Sequence, residues 1–300
     1  MKLNLNIYIH FFLIIIIPFT LVLGSSASLI NTILICLILF YLLIKDKNFS
    51  FIKKEEFLFL IFIYGYLILN TLISLDPKIG ALRNLGFLRL ILFFLVINYF
   101  VYKYNYSSLN KIFTIWIFFI LFIIIDSFIE FYFGKNIFGF GGQYGNRIVS
   151  FFKDEPIVAS YLNGFALFLI GFFFDQYYFK NNYFKFLFYI FVILFFSCIL
   201  ITGERSNTLK AIFALSIFFY LNPYLNLKSK IFVTLGMIII FTLIFYNSKY
   251  IKYRYFDYFI PFITGKDNVH FISNNNYIIL YKSGYEVFKN YPYFGVGNKN

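Results

Sequence analysis

The residues best suited to chemistry in this chain are its arginines. All five, Arg83, Arg89, Arg147, Arg205 and Arg254, fall on or near one face of the expected architecture, while the loops of the opposite face carry only lysine. An arginine offers a planar fork that binds phosphate or carboxylate in a bidentate way, which a lysine ammonium does not match. An anionic ligand on the arginine-bearing side is implied. Arg205 is the sharpest of the five, because Thr202-Gly203-Glu204-Arg205-Ser206-Asn207 is a very short turn between two apolar runs. Ser206 or Asn207 is expected to cap the following helix. A guanidinium beside a helix N-terminus, with its unsatisfied amides and positive dipole end, suits a diphosphate. A plain boundary turn accounts for the same residues equally well.

Asp126 and Glu130 stand four apart, on one face of a helix, near the end of an apolar run. Ionisable groups at membrane depth are costly and are usually paired or functional. Arg89, one turn into the neighbouring run from the same side, offers an ion pair to Asp126; the two carboxylates could equally line a cation path. Gly139-Phe140-Gly141-Gly142-Gln143-Tyr144-Gly145-Asn146-Arg147 is dense in glycine and the following stretch to Pro156 is dense in charge. Composition does not separate tight turns from a close approach to ligand there. Gly295-Val296-Gly297 has no strand before it and no helix after it, so it is no dinucleotide site. His10 and His270 have no visible metal or triad partner, and Cys36 and Cys198 sit in apolar runs as packing residues.

The elements that must hold these residues are membrane spans. Of the 300 residues 61% are apolar with Tyr included, and 13% are charged, against about 25% in a soluble domain. That excludes a disordered chain, a disulfide scaffold and an ordinary soluble enzyme. The net charge of +13 comes from basic residues scattered singly or in pairs, which form no stripe for nucleic acid. Nine segments approach the ~20 apolar residues needed to cross ~30 Å of hydrocarbon: 7–23, 28–44, 57–74, 85–102, 112–133, 157–174, 186–202, 208–221 and 231–246. Such lengths suit helices rather than barrel strands. The expected architecture is therefore an all-α polytopic membrane protein, a bundle of about nine transmembrane helices over residues 1–246 followed by a large exposed segment, 247–300.

Orientation follows from alternate loops. Eleven lysines (2, 45, 47, 53, 54, 103, 111, 180, 185, 228, 230) fall in one set and six basic residues (78, 83, 135, 147, 153, 205) in the other, so the first set is expected in the cytoplasm. The first span, preceded by Lys2, is read as a retained helix rather than a cleaved signal ending near Ser25-Ser26-Ala27. In the exposed segment Asn274-Asn275-Asn276 reads as a turn, and residues 278–288 as a short amphipathic helix ending before Asn290 and Pro292. The chain stops right after a Gly-Val-Gly with no closing span, and is expected to be incomplete there.

With these residues in view, the chain resembles the O-antigen ligase and O-antigen polymerase superfamily of bacterial inner-membrane glycosyltransferases. Residues 126–139, Asp-Ser-Phe-Ile-Glu-Phe-Tyr-Phe-Gly-Lys-Asn-Ile-Phe-Gly, are similar to that family's span ending in Asp, a Gln or Glu four later, then Gly-Lys-Asp and Phe-Gly. Residues 147–162 resemble its Arg, Phe-Phe, Asp-Glu and Tyr-Leu loop. Residues 202–207 look like its turn with a lone Arg between two helices, and residues 281–297, from Tyr-Lys-Ser to Phe-Gly-Val-Gly, like the end of its large periplasmic loop. These matches run in the family's order over residues 126–300.

The resemblance implies transfer of a glycan from an undecaprenyl diphosphate carrier to an acceptor hydroxyl, on the periplasmic face of the inner membrane and without metal or cofactor. The acceptor is a lipid A core or another glycan, ligase and polymerase sharing these motifs. Arg205 is expected as the catalytic residue that stabilises the leaving diphosphate, with Arg147, Arg89, Asp126, Glu130 and Lys282 binding diphosphate or glycan. The family's candidate base is a His in a Pro-His-Asn-like motif just after the Gly-x-Gly, and the chain ends before it, so the 300 residues alone are expected to be inactive. A second loop arginine of the family has no clear match; Arg254 or Lys282 stands as its substitute. The rival reading is a transporter or flippase using Asp126, Glu130 and Arg89, and a blander one is a scaffold subunit of an envelope assembly machine.

Overall fold

The computed structural model describes residues 5–46, 50, 52, 54–142, 147–153, 155–257, 276–293 and 295–296. Among them every regular element is helical. In chain order these are α1 (Leu5–Ile15), α2 (Ile17–Leu23), α3 (Ser25–Asp46), α4 (Lys54–Leu72), α5 (Pro77–Gly86), α6 (Leu88–Phe133), α7 (Val158–Phe173), α8 (Asn182–Thr202), α9 (Arg205–Leu221), α10 (Leu227–Asn247), α11 (Lys249–Lys252) and α12 (Asn276–Asn290). A 3-10 turn at Ser150–Phe152 and π turns at Phe174–Tyr178 and Tyr253–Asp257 complete the set.

Among the described residues seven helical stretches are long and apolar enough to cross a membrane: α3, α4, the end of α5 running into α6, the second half of α6, α7 with its π turn, α8 and α10. The two other expected spans differ for local reasons. The first is broken between α1 and α2, because Pro18 lacks the N–H that would bond one turn back and its ring crowds that carbonyl. The eighth is α9, whose 17 residues fall short of the 18 to 25 of the seven stretches, α7 reaching 21 only with its π turn. The loop expected between the fourth and fifth spans is helical instead, α6 continuing for 46 residues. Nothing in Lys103 to Lys111 breaks a helix, since the run holds neither Gly nor Pro. Of the exposed segment, His270, Asn274 and Asn275 lie outside the described residues; the amphipathic helix expected at 278–288 is α12.

Helix ends are set by short polar side chains. Asp76 accepts from the Lys78 N–H at 3.0 Å ahead of Pro77 at the start of α5. Asn181 accepts from the Phe184 N–H to open α8, and Asn226 from the Ser229 N–H to open α10. Gly203, left-handed at φ 71°, closes α8.

The chain divides into two compact units. One comprises Met1–Ile17, Ser25–Asn110 and Gly265–Asn300, the other Pro18–Gly24 and Lys111–Thr264. In the first, Leu13, Ile35, Leu42, Ile91 and Tyr99 form the core, and Cys36 is buried with its thiol donating to the Arg89 carbonyl. In the second, α7 packs on α8 and α9, and α8 also on α10. Phe188, Phe195, Ile199 and Leu162 are fully buried there, and Cys198 lies among them as a free packing thiol. Buried residues make up 56% of the α8 span but 6% of α10 and none of α4. In water such bare apolar faces would aggregate, whereas a bilayer solvates them. The protein is thus a multi-pass membrane protein.

Candidate functional site

The second unit gathers the charged residues. At the end of α6, Asp126 is 0% and Glu130 4% exposed. Helical spacing aims both at the loop that follows, and the loop meets them with donors. Asp126 accepts from the Ile137 N–H at 3.0 Å, from the Ser150 hydroxyl at 2.5 Å and from Asn136 Nδ2 at 3.3 Å. Glu130 accepts from the Val149 N–H at 3.0 Å and the Ser150 N–H at 2.6 Å. Neither carboxylate needs an arginine. Arg89, expected as an ion-pair partner of Asp126, is an exposed residue of the other unit.

Asn136 organises the loop from inside. Its Oδ1 accepts from the Phe138 and Phe140 N–H groups at 3.0 and 2.7 Å, and its Nδ2 also donates to the Ser150 carbonyl at 2.8 Å. The glycines serve turns and close packing: Gly134, Gly139, Gly141 and Gly142 all have positive φ. Gly141 packs so closely that a β-carbon there would stand 2.8 Å from the Gly134 carbonyl oxygen and 2.9 Å from Glu130 Oε1. Residues 143–146 and Asp154 lie outside the described residues. Phe151 stacks on Phe122 of α6 at 5.2 Å, and Phe152 packs on Tyr161 of α7 at 5.1 Å. Arg147 is thereby carried on a fixed strap, two residues before the anchored Val149.

The turn between α8 and α9 is tighter than expected. Arg205 opens α9, so the cap position falls on Glu204, and Ser206 and Asn207 lie inside the helix instead of capping it. Arg205 is half-buried there. Glu204 uses its side chain elsewhere, accepting from the Ala159 N–H at the start of α7 at 3.1 Å and from Asn207 Nδ2 at 2.5 Å. Burial pushes the Glu204 carboxyl above the ordinary carboxylate range, opposed by the Asn207 and Ala159 bonds and then by the guanidinium groups of Arg147 and Arg254. Arg254, in the π turn, donates to the Gly203 carbonyl at 3.3 Å. Next to it the Tyr255 hydroxyl shares a 2.7 Å bond with Thr208, and burial pushes that phenol up to about 12.

Between the α6 end and the α10–α11 junction lies a cavity of about 830 Å³, lined by Glu130, Gly134, Gly142, Arg147, Asn247, Ser248, Lys249 and Tyr250 among others. Arg147 makes no hydrogen bond or ion pair with another described residue. Beside an apolar and aromatic part from Phe131, Tyr132, Phe133, Ile148, Leu243 and Ile244, the described lining carries two cations, small polar groups and one saturated carboxylate, a set that can bind an anion. Among the described residues no cluster of His, Cys, Asp and Glu could hold a metal ion. Comparison with known proteins bears on the same segment. Residues 189–300 match the family model of O-antigen ligase. That supports the O-antigen ligase and polymerase superfamily, membrane glycosyltransferase-like enzymes of surface polysaccharide biosynthesis that handle lipid-linked glycans and glycan acceptors in general. No curated protein and no solved structure matches.

The matched stretch holds the Gly203-Glu204-Arg205 turn, Lys249, Tyr250 and Arg254, while Arg147 precedes it. Of the residues read from sequence, the second unit brings together Arg147, Arg205, Asp126 and Glu130; Arg89 and Lys282, the latter exposed on α12, belong to the first. Sequence reasoning missed Asn136, Ser150, Glu204, Lys249 and Tyr250. Only Glu204 gave a signal, a carboxylate wedged beside a lone arginine in a two-helix turn.

Proposed function

We propose that this protein transfers a glycan from a polyprenyl diphosphate carrier, undecaprenyl diphosphate in the bacterial inner membrane, to an acceptor hydroxyl at the periplasmic face. In that reaction the bond from the sugar's anomeric carbon to the phosphate oxygen breaks and the diphosphate leaves with the electron pair. The acceptor oxygen forms the new bond and gives up its proton. Negative charge gathers on the leaving diphosphate, so cations fixed in advance lower the barrier. The observation that carries this reading is Arg147, which makes no hydrogen bond or ion pair with another described residue and is held by the loop at the wall of a cavity that Lys249 also lines. Arg205 is assigned the charge-stabilising role at the neighbouring turn, and Arg147 the binding of diphosphate. The family match at residues 189–300 supports the reaction type for both ligase and polymerase.

A transporter path through Asp126, Glu130 and Arg89 has less support, because both carboxylates are already saturated by the loop. The test is glycan transfer in membranes of cells expressing the complete protein. Arg205→Ala and Arg205→Lys, and separately Arg147→Ala, are each expected to lower turnover by roughly 100-fold or more at unchanged membrane abundance. Undiminished transfer by the Arg205 variants would sink the assignment.

A further inference from the structure

The two sides of α12 differ in kind. Leu280, Tyr281, Gly284, Tyr285 and Phe288 recur at the spacing of one helical face, whereas Lys282, Ser283, Glu286, Lys289 and Asn290, with Ile279 among them, take the other. Leu280, Tyr281, Tyr285 and Phe288 are 67%, 76%, 64% and 61% exposed, so the described protein leaves the apolar side bare. The 15 residues of α12 reach about 22 Å and include three charges, which is too short and too polar to cross ~30 Å of hydrocarbon. The chain leaving the helix is held at a membrane boundary. The Tyr291 N–H donates to the Val287 carbonyl and the Gly295 N–H to the Tyr291 carbonyl; one residue on, the Val296 carbonyl accepts from the Leu75 N–H at 3.2 Å. Leu75 lies just past Leu72, the last residue of α4, a spanning helix of the same unit. The end of α12 is therefore only six residues of chain from the level at which α4 leaves the hydrocarbon.

We infer that α12 is an interfacial helix that lies in the membrane surface where α4 ends, with Leu280, Tyr281, Tyr285 and Phe288 sunk at the boundary of headgroups and acyl chains. The residue types select lipid over a protein partner. A seam between helices is built mainly from aliphatic residues, whereas a tyrosine ring, apolar in its body and polar at its tip, sits at headgroup level. The charges are laid out to match. Lys282 and Lys289 stand three and four residues from Tyr285 and so border the apolar stripe, where their stems can lie along it and lift the ammonium groups to lipid phosphates. Glu286 and Ser283 fall on the far side, toward water. The lipid surface thus accounts for the bare face, the flanking cations and the tether at Leu75 together, and it does so whatever reaction the protein carries out.

The experiment places the full 300-residue chain in vesicles of phosphatidylethanolamine and phosphatidylglycerol and reads tryptophan fluorescence. The sole native tryptophan is removed as Trp116→Phe, and one reporter is introduced as Tyr281→Trp, Tyr285→Trp or, on the opposite side, Glu286→Trp. All three sites are exposed, so the reporters leave the packed cores untouched. Lipids brominated near the glycerol end of the acyl chain are expected to quench strongly at 281 and 285. Iodide, present on both sides of the bilayer, is expected to quench there roughly threefold or more weakly than at 286. Equal iodide quenching on the two sides of the helix would put the apolar face in water and overturn the inference. Reporters at 281 and 285 that neither quencher reaches would mean that protein, from a second copy or from elsewhere in this chain, covers the face, which overturns it too.

Discussion

Asp126 with Glu130, and Glu204 with its neighbouring arginines, are two acidic sites in one unit that handle their charge in opposite ways. The first pair is wholly occupied by hydrogen-bond donors from the loop that follows α6, three of them backbone amides. Glu204 spends its oxygens on one amide and one side chain, and what balances its remaining charge is the field of Arg147 and Arg254. The first arrangement turns carboxylates into a clamp for a loop. The second leaves a net positive region at the meeting of three helix ends. A saturated carboxylate is architecture, whereas a carboxylate that shares its arginines with the medium tunes a site.

The comparison is broken most directly at Glu130. Glu130→Ala leaves the buried Val149 and Ser150 amides without acceptors, at about 1–3 kcal/mol for each. A loss of about 2–6 kcal/mol is expected in denaturant titration of the detergent-solubilised protein. A loss within experimental error would mean that Glu130 is a functional carboxylate and not part of the clamp. Gly141→Ala probes the same clamp from the other side. The new β-carbon would collide with the Gly134 carbonyl oxygen and the Glu130 carboxylate at a backbone φ of 128°. Strain of about 1–3 kcal/mol follows, and it should be smaller in a Glu130→Ala background, where one of the colliding groups is gone.

The spans were legible because they depend on the length of apolar runs and on breakers. Residues 157–174, 186–202 and 231–246 were expected and α7, α8 and α10 are found. The lone arginine in its turn was legible for the same reason, being a charge between two such runs. The partners of Asp126 and Glu130 were not, since they are backbone amides brought back by a loop, and an amide carries no residue-type signal. Asn136 and Ser150 act through that loop geometry and look like ordinary turn residues in the sequence. Tyr250 was hidden by abundance: among 27 tyrosines, nothing in the sequence marks out the one that lines the cavity and packs on Gly203. The continuity of α6 was missed because paired lysines were read as a loop, although no residue between them obliges the helix to stop.

The smallest expected effect sharpens the comparison at Glu204. Its carboxyl titrates above the ordinary carboxylate value in the folded protein, burial outweighing the Asn207 and Ala159 bonds and the two guanidinium groups. The folded chain therefore binds the proton more tightly than the unfolded chain does. Stability contributed by that proton is fully present below the ordinary carboxylate value, about 4.3, and is lost as pH rises through the folded value. Between those two points the wild-type Tm should climb as pH falls, against whatever background the other carboxylates supply. Glu204→Gln keeps an oxygen for the Ala159 amide and has no titration, so the difference in Tm between wild type and this variant should slope with pH in that window and flatten on either side. The Glu130→Ala comparison predicts a large loss at every pH, whereas Glu204→Gln predicts a small effect confined to one window. A pH-independent difference for Glu204→Gln would place Glu204 in the same structural class as Glu130 and collapse the distinction between the two sites.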